Sequence, residues 1–156
     1  KSFRFLTVAA TLSFGSLAWA QTPANEIYIK GSVIEASTNK PLEYAFDVKD
    51  STLAKVNLGF VFRNNIDYEY SNIYLFTKFT DPKGNEMVDT LQYYIANPDG
   101  TWIGKGMNTK EMLLVFRENL QVKDTGTYKL KVWHGMRSDK LIGIEDICLI
   151  VDQTAD

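Results

Sequence analysis

The fold this sequence predicts is all-β: an antiparallel sandwich of roughly eight strands. Three observations predict it. Apolar and polar residues alternate with period two in stretch after stretch. Clusters of Pro, Gly, Asn and Asp fall between those stretches. No apolar stripe of helical spacing runs for a useful length. A two-layer sheet of Ig-like or jelly-roll type satisfies all three, because it joins short strands by tight turns.

Taken in order, "IYIKGSVIE" (27–35) opens the series. "LEYAFDV" (42–48) sets Leu42, Tyr44, Phe46 and Val48 on one face and Glu43 and Asp47 on the other. "VNLGFVF" (56–62) turns Val56, Leu58, Phe60 and Phe62 inward by the same rule. "NIYLFTKF" (72–79), "MVDTLQYYI" (87–95), "EMLLVFRE" (111–118), "TYKLKVWHG" (127–135) and "GIEDICLIV" (143–151) follow. The breakers are "STNKP" (37–41), "DPKGN" (81–85), "NPDG" (97–100), "KDTG" (123–126) and "MRSDK" (136–140). In "DTGTYKLKV", Asp124, Gly126 and Tyr128 have the spacing of a tyrosine corner, in which the hydroxyl bonds upstream backbone. A plain Asp-Gly turn fits the same residues.

The chain has 156 residues, 45% hydrophobic and 23% charged, which suits one globular domain. Its formal charge is −2, with acids and bases interspersed, so it lacks the basic stripe that nucleic-acid binding needs. One cysteine, Cys148, excludes an internal disulfide and any multi-cysteine metal site. Residues 1–20 read as a secretory signal peptide: Lys1 and Arg4, then apolar "FLTVAATLSFGSLA" (5–18), then "AWA" (18–20) before Gln21. Its loss leaves 15 basic against 19 acidic residues. No cysteine stands at that junction to accept a lipid.

Candidate chemistry is sparse. His134 is the only histidine and shares a face with Tyr128, Leu130 and Val132, which predicts a structural imidazole. Cys148 alternates with Ile144, Asp146 and Ile150 and reads as a small buried side chain. Glu145 and Asp146 are adjacent, so they face opposite ways and do not form a catalytic carboxylate pair. "DPKGN" and "NPDG" lack the repeated oxygen ligands of a calcium loop. Neither a catalytic residue, nor a metal site, nor a cofactor is expected. The aromatics remain. "RNNIDYEYSNIYLF" (63–76) and "GTWIGKG" (100–106) place Tyr68, Tyr70, Tyr74 and Trp102 in or beside loops, where aromatics with polar tips suit a contact surface. Trp102 could equally plug the end of the sandwich. A glycan stacking on Trp102 and the tyrosines is the alternative partner.

The stretches "LGFVFRNNIDYEYSNIYLF", "DTLQYYIANPDGTWIGKG" and "GTYKLKVWHGMRSDKLIGIEDI" resemble the GldH family of gliding-motility lipoproteins of Bacteroidetes-type bacteria, over about 46–151. The resemblance implies a small β-rich envelope protein without catalysis, contacting outer-membrane or gliding-machinery proteins. Its matching positions are Arg63, Asn64, Asp67, Tyr68, Tyr70, Asn72, Trp102, Gly104, Met136, Arg137 and Asp146. With Tyr74, nine of the sites make the expected partner surface: Arg63, Asn64, Asp67, Tyr68, Tyr70, Asn72, Tyr74, Trp102 and Arg137. "IKGSVIEASTNKPLEYA" (29–45) instead resembles the first strand pair of a carboxypeptidase-regulatory-like domain of TonB-dependent outer-membrane proteins. That resemblance implies three parts: a leader (1–20), an N-terminal fragment (21–45) and the sandwich (46–156). It also offers a role as accessory to a nutrient receptor. The expected location is the periplasm or outer membrane.

Overall fold

The computed structural model describes residues 26–31 (backbone only), 40–49 and 55–154. Eight strands form: β1 (Glu26–Gly31), β2 (Leu42–Val48), β3 (Lys55–Asn64), β4 (Asn72–Thr80), β5 (Glu86–Tyr94), β6 (Lys110–Gln121), β7 (Gly126–His134) and β8 (Ile144–Thr154). Each lies where the alternation predicts. The leader expected at 1–20 lies outside the described residues.

All pairings are antiparallel. β1 pairs β8, β2 pairs β7, β3 pairs β6 and β4 pairs β5, which is one long ribbon folded back on itself. Pairing of β3 with β8 and of β4 with β7 then closes two four-stranded sheets, β1-β8-β3-β6 and β2-β7-β4-β5. That order is the jelly roll. β2 runs through the expected junction at 45–46 and pairs β7 along its whole length, from Leu42↔Val132 to Val48↔Gly126. β1 and β2 sit in different sheets.

The core lies between the sheets. β2 contributes Leu42, Tyr44, Phe46 and Val48, and β3 contributes Val56, Leu58, Phe60 and Phe62, as the alternation requires. Phe46 stacks on Tyr128 at 5.4 Å between ring centroids, and Phe60 meets Phe116 at 5.7 Å. The Tyr128 hydroxyl donates to Asp124 O at 2.9 Å, so the tyrosine corner forms. β3 departs from simple alternation because its outward residues, Asn57 and Val61 among them, are buried too. Asn57 holds the neighbouring strand in place, because its Oδ1 accepts the Asn119 N–H at 2.8 Å. Asn119 adopts a left-handed φ of 54° where β6 bulges against β3, a conformation Asn tolerates better than most residues.

His134 is buried at the end of β7. Its Nδ1 accepts the Met136 N–H at 3.2 Å, which leaves Nε2 to carry the proton and donate to Asp139 O at 3.2 Å. The neutral ring is therefore fully satisfied, and burial pushes its pKa below the ordinary 6.5. Protonation would turn Nδ1 into a donor facing a donor. The unfolded chain takes up this proton at about pH 6.5 and the folded chain only below it, so stability is complete above 6.5 and falls as pH drops through that window. The expected slope approaches about 1.4 kcal/mol per pH unit at most. Urea midpoints measured from pH 7.5 to 5.5 should show this slope, and His134→Gln should flatten it.

Candidate functional site

Three connections meet at one end of the sandwich: β3–β4 (65–71), β5–β6 (95–109) and β7–β8 (135–143). They are joined by backbone. Asn65 N–H donates to Gly143 O at 2.8 Å, tying the first to the third. Ile95 and Ala96 both donate to Ser71 O, at 2.8 and 3.1 Å, tying the second to the first. The Tyr70 hydroxyl meets Ser138 Oγ at 2.6 Å, and Asn65 Nδ2 donates to Glu145 Oε1 at 2.7 Å. The three sequence blocks singled out above, distant along the chain, are thus one assembly.

Arg63 sits at its margin, at the end of β3. Register places it between Glu111 of β6 and Asp146 of β8, on the outward face of the first sheet. Its NH1 reaches Asp146 Oδ2 at 3.0 Å and its Nε lies 3.6 Å from Glu111 Oε1. Burial holds the Glu111 carboxyl above its ordinary range; Arg63 draws it down and Asp146 raises it. One guanidinium therefore balances two largely buried acids. Cys148 is buried beside them, its Sγ 3.6 Å from Asp146 Oδ1. Arg63→Ala leaves both carboxylates without their cation. The expected loss is about 2–3 kcal/mol, below the full cost of orphaning a buried pair because Arg63 is one-third exposed. Urea denaturation measures it, and adding Asp146→Asn with Glu111→Gln should recover part of the loss.

The nine expected contact residues divide. Asn64 and Tyr68 are interior, 2% and 3% exposed. The Tyr68 ring meets Phe62 edge-on at 5.9 Å and its hydroxyl donates to Asn72 O at 2.9 Å. These two positions are corrected to structural ones, because the β3–β4 connection folds back over the core instead of standing away from it. Tyr70 and Trp102 are half-buried, packed against the core. Trp102 is bridged to Ala96, and Gly104 lies where an added Cβ would come within 3.1 Å of Glu111 backbone. Asn72 is half-buried, and the Asp67 and Arg137 side chains are exposed. Tyr74 is exposed on the outward face of the second sheet, with Met136 Sδ accepting its N–H at 3.4 Å.

Sequence reasoning missed what this end presents to solvent. Met107 is 91% exposed, Ile142 66%, and Ile66 and Ile103 are also open. Each is an apolar residue in a connection between strands, where no alternation explains it, and that was the available signal. Among the described residues no group of His, Cys, Asp and Glu could hold a metal ion.

The family model for GldH lipoprotein matches residues 36–151. A gliding motility lipoprotein GldH homolog of Christiangramia forsetii is 34% identical over 78% of this chain and 75% of its own length. Gliding motility lipoprotein GldH of Flavobacterium johnsoniae is 39% identical over 67% of this chain and 65% of its own. Among solved structures, infectious bursal disease virus Gx strain matches with TM-score 0.33 and 12% identity, over 81% of this chain and 31% of that one. The Tobacco streak virus coat protein dimer matches with TM-score 0.33 and 6% identity, over 86% and 90%. Likeness that low adds nothing to the strand order already described. The sequence matches are of another kind, and by them this chain belongs to the GldH lipoprotein family.

Proposed function

We propose that the protein acts without catalysis, as a docking module of a gliding-motility apparatus in the cell envelope, through the loop end that carries Ile66, Ile103, Met107 and Ile142. The observation behind this reading is the coincidence of two things at one place. The three sequence blocks converge there, and so do four solvent-exposed aliphatic side chains. Scattered single apolar residues need no explanation, but a cluster on one end marks an interaction site. Arg137, Lys105 and Lys140 stand exposed among them and would supply a polar rim.

Strand direction fits the same reading. β1 runs from Glu26 to Gly31, and Gly31 pairs with Ile147 near the start of β8, beside the loop end. The chain therefore enters β1 at the opposite end. An attachment upstream of β1 would hold the loop end away from a membrane by about the length of a ten-residue strand, on the order of 30 Å.

A photo-crosslinking residue placed at Ile142 or Met107 in cells should give a discrete protein adduct. The same residue at Lys83, in the β4–β5 turn at the other end, should not. With the crosslinker moved to Ile103, also exposed at this end, Met107→Lys with Ile142→Lys should lower adduct yield at least tenfold while melting temperature holds. Equal adducts from both ends, or full capture by the double variant, would rule the docking end out.

A further inference from the structure

The exposed edge of the second sheet carries a different kind of site. Asp81 N–H donates to Asn85 O at 3.0 Å and Ile95 N–H donates to Ser71 O at 2.8 Å, fixing the phase of the β4–β5 ladder at both ends. In an antiparallel ladder the bonded pairs alternate, so Met87, Asp89, Leu91 and Tyr93 turn their backbone groups toward β4. The N–H and C=O groups of Glu86, Val88, Thr90, Gln92 and Tyr94 then point outward from the edge.

Two of the other edges, β6 and β2, are guarded. β6 is interrupted by its bulge, and its Val115 carbonyl is taken by the Tyr93 hydroxyl at 2.7 Å. β2 carries Glu43 and Asp47 at its exposed positions. β5 has no bulge, and its exposed acid, Glu86, stands only at the first position of the strand. Its nine-residue register is unbroken, it holds no Pro or Gly, and its inward acid Asp89 is paired with Arg117. Val88 is 70% exposed and Tyr94 65%.

We infer that β5 pairs with β5 of a second copy of this chain, antiparallel about a two-fold axis at Thr90. The sequence of β5 is complementary to itself in that register. Thr90 faces Thr90, Val88 faces Gln92, Glu86 faces Tyr94 and Asp89 faces Leu91, so no like charges are opposed. Tyr94 of each copy lies diagonal to Val88 of the other, within reach of an aromatic ring, so the two exposed apolar side chains cover one another twice. The product is one continuous eight-stranded sheet with an isologous interface.

Thr90→Cys tests the axis directly, since a bonded pair across it has Cα atoms about 5.5 Å apart, inside the range a disulfide bridges. The native Cys148 is buried and does not compete. Under mild oxidation the purified Thr90→Cys chain should form a covalent dimer faster than Val88→Cys or Gln92→Cys. In sedimentation the unmodified chain should dimerise with rising concentration, and Thr90→Lys should stay monomeric with its melting temperature unchanged at low concentration. A folded Thr90→Cys chain that stays monomeric on a non-reducing gel, or crosslinks no faster than Val88→Cys, overturns the inference. So does a Thr90→Lys chain that sediments like the unmodified one, or pairing only with a different protein.

Discussion

Tyr68→Ala should cost about 3–5 kcal/mol of folding stability, the range for truncating a large buried aromatic. The ring is in the core cluster, edge-on to Phe62 at 5.9 Å and to Tyr70 at 5.8 Å, so its loss opens a cavity under the β3–β4 connection. Domains of this size are stable by only about 5–15 kcal/mol, so a substantial fraction of the variant should unfold or aggregate on heating. Tyr68→Phe separates the ring from the hydroxyl. It keeps the packing and loses only the bond to Asn72 O, at about 1 kcal/mol. Burial pushes the Tyr68 phenol well above its ordinary pKa, so that donor stays protonated wherever the fold survives. Urea midpoints for the two variants should differ in this order. A Tyr68→Ala chain as stable as the parent would return the ring to the surface and undo the account of this end.

The fold was legible because period-two alternation and turn residues are local signals, and the alternation is kept in strands such as β2, β4 and β7. Leu42, Tyr44, Phe46 and Val48 announced the buried face of β2 without reference to anything distant. Strand order was not legible. Nothing in β1 says that it pairs β8 and not β2, since that choice rests on closing two sheets at once. Tyr68 was misread for a related reason. An acidic, polar neighbourhood such as "IDYEY" looks solvated, and only the Gly143 loop, 75 residues on, folds it inward. His134 was easier, because its place on the apolar face of β7 already implied a satisfied ring. The ion cluster was half visible: Arg63 and Asp146 stood out, but Glu111 joins them only through register.

Gly143→Ala carries the second large effect, and it acts on the junction that seats Tyr68. Gly143 has φ +86°, where an L side chain is strained by about 1–2 kcal/mol. An added Cβ would also lie 2.2 Å from Tyr68 N and 2.7 Å from the Asp67 carbonyl carbon, both backbone atoms that no rotamer change can move. The β7–β8 loop must therefore back away from the β3–β4 connection. Doing so stretches the Asn65 N–H to Gly143 O bond that joins them. Strain and displacement together should cost about 3 kcal/mol, roughly 10 °C in melting temperature. The damage should also be local in a way Tyr68→Ala is not. Amide hydrogen exchange should quicken first at Asn65, Tyr68 and the start of β8, while β4 and β7 at the far end keep their protection. Crosslinking from Ile142 should fall with it, because the loop that carries Ile142 is the one displaced. A Gly143→Ala chain with native melting and native exchange at Asn65 would mean that the two loops are not held together as described.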